Sequence, residues 1–376
     1  MTALKIIEQV AGAVLMALVL LDVFLTVLYA RIGTGIVSTR LARGTWLAVR
    51  ALAKTTPSRR GKVLSFAGPI ILVMLVLIWG IVLTLGSALI LHPHMGTGIK
   101  ASNGPTSTDF ISALFAGGSS ISIVGAGNFE PKSRGLMMFY LFNSLVGMSV
   151  ISLTLTYLMQ IYSALRTRNS ETLLLDIGTG RTGDAAELVA GIGPQGRFDA
   201  GYTTLTNLSA SIAGMKEAHH FYPVLFYFRF EQPYYSVSRF TNTALDAVAI
   251  IKTALDAKQY RWLTESGAVS DIWNSSLLLL TTLEEAFIPG DLPERASPDT
   301  QARSQWRNRF LNAAARLQAA GIPLTADLDF AAERYIRLRS EWSPHIRNLA
   351  PSMLYSLEET DPALFAPASE EHRRAA

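Results

Sequence analysis

Ser120-Ile121-Ser122-Ile123-Val124-Gly125-Ala126-Gly127-Asn128 decides how this chain is read. Two glycines one residue apart, after a β-branched pair, suit a backbone that runs extended, visits φ > 0 and turns its carbonyls one way. Such a segment can replace the water around a dehydrated cation. As a string, V-G-A-G-N is only a Gly-rich turn, so its weight comes from its flanks. A short amphipathic helix is expected before it over 108–119, and a long uncharged run follows over 136–165.

Working outward, the composition agrees with a membrane setting. Of 376 residues, 49% are hydrophobic and only 16% charged, against roughly 25% charged in soluble domains. There is no cysteine, which excludes disulfides, thiolate catalysis and Cys-based zinc sites. Residues 10–29 are interrupted only by Asp22 and have the length of a first span. A cleaved signal peptide ending near Ala30 is the competing reading, but the run exceeds an ordinary signal core and dense positive charge follows it. Residues 31–62 carry Arg31, Arg40, Arg43, Arg50, Lys54, Arg59, Arg60 and Lys62 with no acid. The positive-inside rule makes this loop cytoplasmic and the N-terminus external. Trp46 and Leu47 are expected to face the membrane interface over anionic lipid. Flanking apolar runs make the charge topological, so no nucleic-acid partner is expected.

Residues 63–91 are uncharged, about 43 Å if helical, and form the second span, with Gly68-Pro69 as a place for a bend. Residues 92–106 read as an external loop, in which His92 and His94 form a solvated pair without a third metal ligand. Ser107 or Thr108 is the expected cap of the next helix, with Asp109 in its first turn. That helix is too short to span, so it must dip in and return, its negative C-terminal end favouring a cation. Arg134 closes the outer segment, and 136–165, about 45 Å if helical, form the third span. Asn143, Ser144, Ser149, Ser152, Thr154, Thr156, Tyr157 and Gln160 make it unusually polar, which an aqueous cavity on one side explains better than helix packing alone. Asp22, an acid deep in a span, is read first as a structural pairing with Arg31 or a hydroxyl of another span.

The order short helix, Ser120-Ile121-Ser122-Ile123-Val124-Gly125-Ala126-Gly127-Asn128, long apolar helix resembles the pore loop of the potassium-channel superfamily in its small two-helix prokaryotic form. The resemblance covers roughly residues 63–165. Ser120, Ser122, Val124, Gly125, Gly127 and Asn128 match the family pattern T-x-T-T-V-G-Y-G-D or replace it conservatively. Ile123 stands where the family has threonine, and Ala126 where it has tyrosine or phenylalanine. The resemblance implies a homotetramer whose filter is formed by Ser122 and the carbonyls of Ile123, Val124, Gly125 and Ala126, with Gly127 conformationally constrained. It also places a gating-hinge candidate at Gly147. Ile123 cannot supply the threonine hydroxyl, Ala126 cannot brace the filter, and the pore helix offers Phe115 but no tryptophan. Cation conduction is therefore better supported than strict potassium selectivity.

Beyond Arg166 and Arg168, residues 169–376 are expected to be cytoplasmic. Leu173-Leu174-Leu175-Asp176-Ile177, then Gly178-Thr179-Gly180-Arg181-Thr182-Gly183, fits G-x-G-x-x-G after an apolar run and resembles a nucleotide-binding or methyltransferase fingerprint. No strand–helix alternation follows, however, and no acid stands about twenty residues on. Asp184-Ala185-Ala186-Glu187 reads instead as a capping box opening a helix. Helices are expected at 203–219, 235–257, 267–286, 299–320 and 327–341. The aromatic run from His219 and His220 to Phe230 reads as core packing or as burial against another subunit, and 370–376 as a disordered tail.

The expected architecture is thus an all-α membrane protein of three transmembrane helices plus a re-entrant pore helix and filter, with a helical cytoplasmic domain. The divisions are 1–62, 63–168 and 169–376. The expected function is a tetrameric, membrane-embedded cation channel. No enzyme activity is expected, and no cofactor beyond a permeant K+ or other monovalent cation. The rival reading is a membrane-anchored nucleotide sensor or enzyme using 178–183, and a third is a nonconducting scaffold.

Overall fold

The computed structural model describes residues 2–29, 31–33, 35–122, 125, 128–293 and 297–365. Packing divides the chain into two units, Met1–Thr56 with Phe66–Ser163, and Pro57–Ser65 with Ala164–Ala376. The expected disordered tail and the filter positions Ile123, Val124, Ala126 and Gly127 lie outside the described residues.

In chain order the first helices are α1 (Thr2–Val23), α2 (Ser38–Thr55), α3 (Arg60–Ser65), α4 (Ala67–Leu91), α5 (Phe110–Ile121) and α6 (Arg134–Gly178). In the first unit α4 is the centre, packed against α1, α2 and α5. Small residues permit this closeness, as membrane helices require. A side chain on Gly12 of α1 would meet the Gly86 carbonyl of α4, and one on Gly117 of α5 would meet the Ala88 amide. A single π-helical turn, Phe24–Leu28, continues α1. Contrary to expectation, Trp46 does not face an interface. It is buried with Val49 and Ala53 on one stripe of the amphipathic α2, while Leu47 beside it is exposed. Two three-residue strands, β1 (Ile99–Ala101) and β2 (Phe129–Pro131), pair antiparallel and are the only strands among the described residues. Below them Leu91, Met95, Ile99, Ala113, Ala116 and Leu136 form a closed apolar cluster.

The second unit is a helical bundle. It comprises α7 (Ala185–Ile192), α8 (Asp199–Phe221), α9 (Val237–Ala254), α10 (Ala257–Thr264), α11 (Gly267–Phe287), α12 (Thr300–Ala319), α13 (Leu328–Ser352), α14 (Leu357–Thr360) and α15 (Pro362–Phe365). Asp184, Ser236, Asp256, Ser266, Asp299, Asp327 and Ser356 each cap the helix they precede with a side-chain oxygen, although the starts after Asp256 and Ser356 are not among those expected. α9 is buried almost all round and packs against α7, α11, α12 and α13. The expected helix over 235–257 is in fact two, because Asp256 opens α10 immediately after α9 ends. The helix expected over 327–341 runs to Ser352. Pro344 and Pro351 lie inside it, yet burial of Trp342, Ile346, Leu349 and Ala350 outweighs the hydrogen bonds they forgo.

Candidate functional site

The loop between α4 and α6 is built as a closed excursion. Ala101 pairs with Phe129, and the Ser102 amide donates to the Asn128 carbonyl at 3.0 Å, so the chain leaves and re-enters the ribbon at one place. Within that excursion α5 has 12 residues, about 18 Å, far short of a bilayer. Its N-cap is Asp109 itself, not Ser107 or Thr108. The carboxylate accepts from the Ser112 amide at 3.2 Å and hydroxyl at 2.7 Å, and Ser107 donates to it from behind. The carboxylate takes three donors at once, more than the two lone pairs of either neighbouring hydroxyl accept.

The far end of α5 is fixed by α6. The Asn143 side-chain amide donates to Ser87 Oγ of α4 at 2.7 Å and to Ser120 Oγ of α5 at 2.8 Å, and all three residues are buried. One turn on, the Gly147 Cα faces the Ile121 carbonyl so closely that a Cβ would stand 1.8 Å from its oxygen. Gly147 thus has a packing reason for being glycine. Ser122 ends α5, its amide donating to the Gly118 carbonyl at 2.9 Å, and Gly125 sits at φ 79° with open space around it.

Immediately beyond this contact the surface of α6 changes. The structure sorts the polar residues that the sequence could only group. Asn143, Thr154 and Tyr157 turn into the unit, whereas Ser149, Ser152, Thr156 and Gln160, spaced by three, four and four, share one exposed stripe. Met148, Leu155 and Met159 form a separate exposed apolar face.

Asp22 is fully buried and has a structural role. Its carboxylate accepts from Trp79 Nε1 of α4 at 2.8 Å, the Val37 amide at 2.8 Å, and the Ser38 amide and hydroxyl at 3.4 Å each. It therefore caps α2 from another helix, where Val37 has no capping side chain of its own. Asp22→Asn turns an amide donor toward one of these donors and should lower stability by about 1–3 kcal/mol. Thermal melts of the variant beside the parent protein test this, and an unaltered melting temperature would contradict it.

His92 and His94 are not a solvated pair. His92 Nδ1 lies 2.6 Å from Glu8 Oε1, and His94 Nε2 lies 2.7 Å from Gln9 Nε2, so both rings tie the segment after α4 to the first turns of α1. No group of three metal-ligating side chains converges among the described residues.

In the second unit, residues 173–178 continue α6 as helix, so no strand precedes the glycines of the expected fingerprint. Gly178 to Gly183 make the turn that ends α6. Arg181 lies at φ 65°, and Thr179 Oγ1 accepts from the Gly183 amide at 3.0 Å. Asp184 caps α7 as expected, but Glu187 pairs with Arg316 instead of completing the box.

The deepest charges form a structural knot. Asp246 Oδ2 accepts from Arg309 Nη2 at 2.8 Å, and Oδ1 accepts from the Tyr335 hydroxyl and from Arg339 Nη1 at 3.3 Å. Asp184 and Asp361 balance the two guanidiniums. Burial alone would push the Asp246 carboxyl up; Arg309, then Arg339, reverse this and hold it below the usual carboxylate range. Burial would lower both guanidiniums, but Asp246 and Asp184 beside Arg309, and Asp361, Tyr335 and Asp246 beside Arg339, hold them above their ordinary value.

Nearby, Arg168 donates to the Leu225 and Phe228 carbonyls at 2.8 Å each, anchoring the aromatic run whose Phe226 stacks on Phe287 at 4.1 Å. Burial, helped by Arg168, lowers the His219 pKa to about 3. The unfolded chain binds that proton near pH 6.5, so the folded unit loses stability as pH falls from about 6.5 toward 3, by up to about 1.4 kcal/mol per pH unit. His219→Leu should flatten this dependence by one proton in melts between pH 4 and 7. An unchanged slope would refute the assignment.

The fold and composition define a helical membrane protein, with three helices long and apolar enough to cross a bilayer. The chain is similar to the uncharacterized membrane protein YdjJ of Bacillus subtilis, 22% identical over 254 residues that cover 67% of this chain and 69% of the relative. No family model and no solved structure matches it.

Proposed function

We propose that the chain is the subunit of a tetrameric pore-loop cation channel, with its N-terminus outside and its C-terminal unit in the cytosol. One observation carries this reading. A helix too short to span is returned to its entry point by the β1–β2 ribbon, and it ends against Gly147 just where the exposed polar stripe of α6 begins. Irregular backbone at membrane depth is tolerated where protein encloses it or water wets it. A subunit axis beside Ser149, Ser152, Thr156 and Gln160 supplies that wet path, and the apolar face of Met148, Leu155 and Met159 meets lipid or a neighbouring subunit.

In this reading Ser122 and the carbonyls of Ile123, Val124, Gly125 and Ala126 contact the ion, with Gly127 continuing the filter. One filter strand per chain cannot enclose an ion, so several copies surround an axis, and the resemblance to the potassium-channel superfamily implies four. Asn143 assumes the positioning role that the pore helix, lacking tryptophan, cannot fill from its own side chains. Because Ile123 and Ala126 remove a hydroxyl site and an aromatic brace, the channel passes monovalent cations with weaker discrimination for potassium than its relatives in pattern. No turnover residue is required. The rival nucleotide reading loses its strand–turn–helix context at 173–183.

The deciding experiment is the reversal potential of purified full-length protein in liposomes under opposed potassium and sodium gradients. Cation-selective current that is lost in Gly125→Ala is the expected result, since an alanine is strained at φ 79°. An absence of current from well-folded protein would sink the proposal.

A further inference from the structure

Apart from the knot around Asp246, two guanidiniums of the second unit, Arg60 and Arg229, converge on one carbonyl and pair directly with no carboxylate among the described residues. Arg229, 5% exposed, has Nε and Nη1 buried without any hydrogen-bond partner, and Arg60 has its Nε in the same condition. The Nη2 atoms of both point at one neutral acceptor, the carbonyl of Leu354, with Arg229 at 3.5 Å. Leu354 itself takes φ 57°, a conformation unusual for a leucine, and the Tyr355 ring lies 4.3 Å under the Arg229 guanidinium. Buried N–H groups of a cation are costly to leave unpaired, and two like charges sharing one carbonyl add repulsion.

These groups line a cavity of about 590 Å³ together with Gly61, Glu231, Ser356 and Glu359. The two acids do not fill the need. Glu359 spends its carboxylate on the Ser356 amide at 2.7 Å in the capping box of α14, and Glu231 is exposed and forms no ion pair with either arginine among the described residues. Gly61 lies directly against the flexible Glu231 side chain and Arg229: a Cβ there would stand 2.9 Å from Glu231 Cγ and 3.3 Å from Arg229 Nη1.

We propose that Arg60 and Arg229 form a binding site for a phosphate-bearing anion, which displaces the exposed Glu231 side chain from over Gly61 and takes the unpaired Nε and Nη1 donors. A tetrahedral anion suits several N–H donors from two guanidiniums better than a single carboxylate does. Two sources share this chemistry. A soluble phosphate compound is one. The other is a phospholipid headgroup, because Arg60 is the first residue of the apolar stretch Arg60–His94.

The test uses full-length protein and does not depend on conduction. In neutral detergent micelles, thermal unfolding is followed while inorganic phosphate is titrated against chloride at equal ionic strength. In parallel, unfolding is compared in phosphatidylcholine vesicles with and without phosphatidylglycerol. An upward shift with phosphate in micelles assigns a soluble anion, and a shift only with phosphatidylglycerol assigns a headgroup. In either case Arg229→Gln and Gly61→Val should raise the half-saturating concentration about tenfold or more. Gly61→Val keeps both arginines, so it separates loss of the site from loss of the fold. No shift in either arm, as when Glu231 acts as an internal counter-ion, overturns the proposal, as does a shift undiminished in both variants.

Discussion

Gly147→Val should abolish ion flux from reconstituted protein while leaving the chain in the membrane. The reason is distance. A Cβ at 147 would stand 1.8 Å from the Ile121 carbonyl oxygen, which no rotamer can relieve, because the clash is with backbone. Nor can α5 retreat, since Gly117 already holds it against the α4 backbone at Ala88. Overpacking of this kind costs about 1–3 kcal/mol in a core. Here the displaced group is also the last carbonyl before Ser122, so the proposed ion path moves with it. Gly147→Ala should show the same defect in milder form. A hinge role makes a different forecast, altered opening with unchanged single-channel conductance. Single-channel recording of Gly147→Ala therefore separates packing from hinge, and full conductance in Gly147→Val would end the packing account.

The largest loss of stability should come from Asp246→Ala. The variant leaves Arg309, Arg339 and the Tyr335 hydroxyl buried around an empty position, with Asp184 and Asp361 as the remaining counter-charges. Breaking a buried ion pair from one side costs about 3–5 kcal/mol. For a unit of this size that corresponds to a fall in melting temperature of about 10 °C. Differential scanning calorimetry of the full chain is the measurement, and a fall below about 2 °C would show the knot to be dispensable. Asp246→Asn should lie between, since it keeps an acceptor for Tyr335. The acid dependence should differ from that of His219. Asp246, held below the usual carboxylate range, contributes stability that is present above the unfolded carboxylate pKa near 3.9 and lost only as pH falls through its lower folded value.

Asn143 and Ser144 illustrate where sequence reading ends. Both are small polar residues in an uncharged run, and composition treats them alike. In the folded unit Asn143 is fully enclosed between Ser87 and Ser120, while Ser144 is exposed. The partner at position 87 is 56 residues away, and nothing local announces it. Asp22 is similar: its rarity in a span pointed to a specific partner, but Trp79 and the start of α2 could be found only in space. The same holds for His92 and His94, whose partners Glu8 and Gln9 belong to the opposite end of the unit's sequence. The site also had a missed signal. Gly147, Ile121 and Asn143 fall near the facing ends of two apolar helices, a pattern of small and polar residues that favours close helix contact.

By itself the sequence determined the class of protein. Three apolar runs, one short helix with a Gly-rich return, and a bundle whose helix starts are marked by Asp and Ser are local properties, written in hydropathy and in cap chemistry a few residues long. Tertiary structure alone decided which polar groups are structural and which are free to meet water or an ion. That choice depends on the partners each buried donor and acceptor finds across tens of residues, and desolvation makes an unpartnered one too costly to keep without a use.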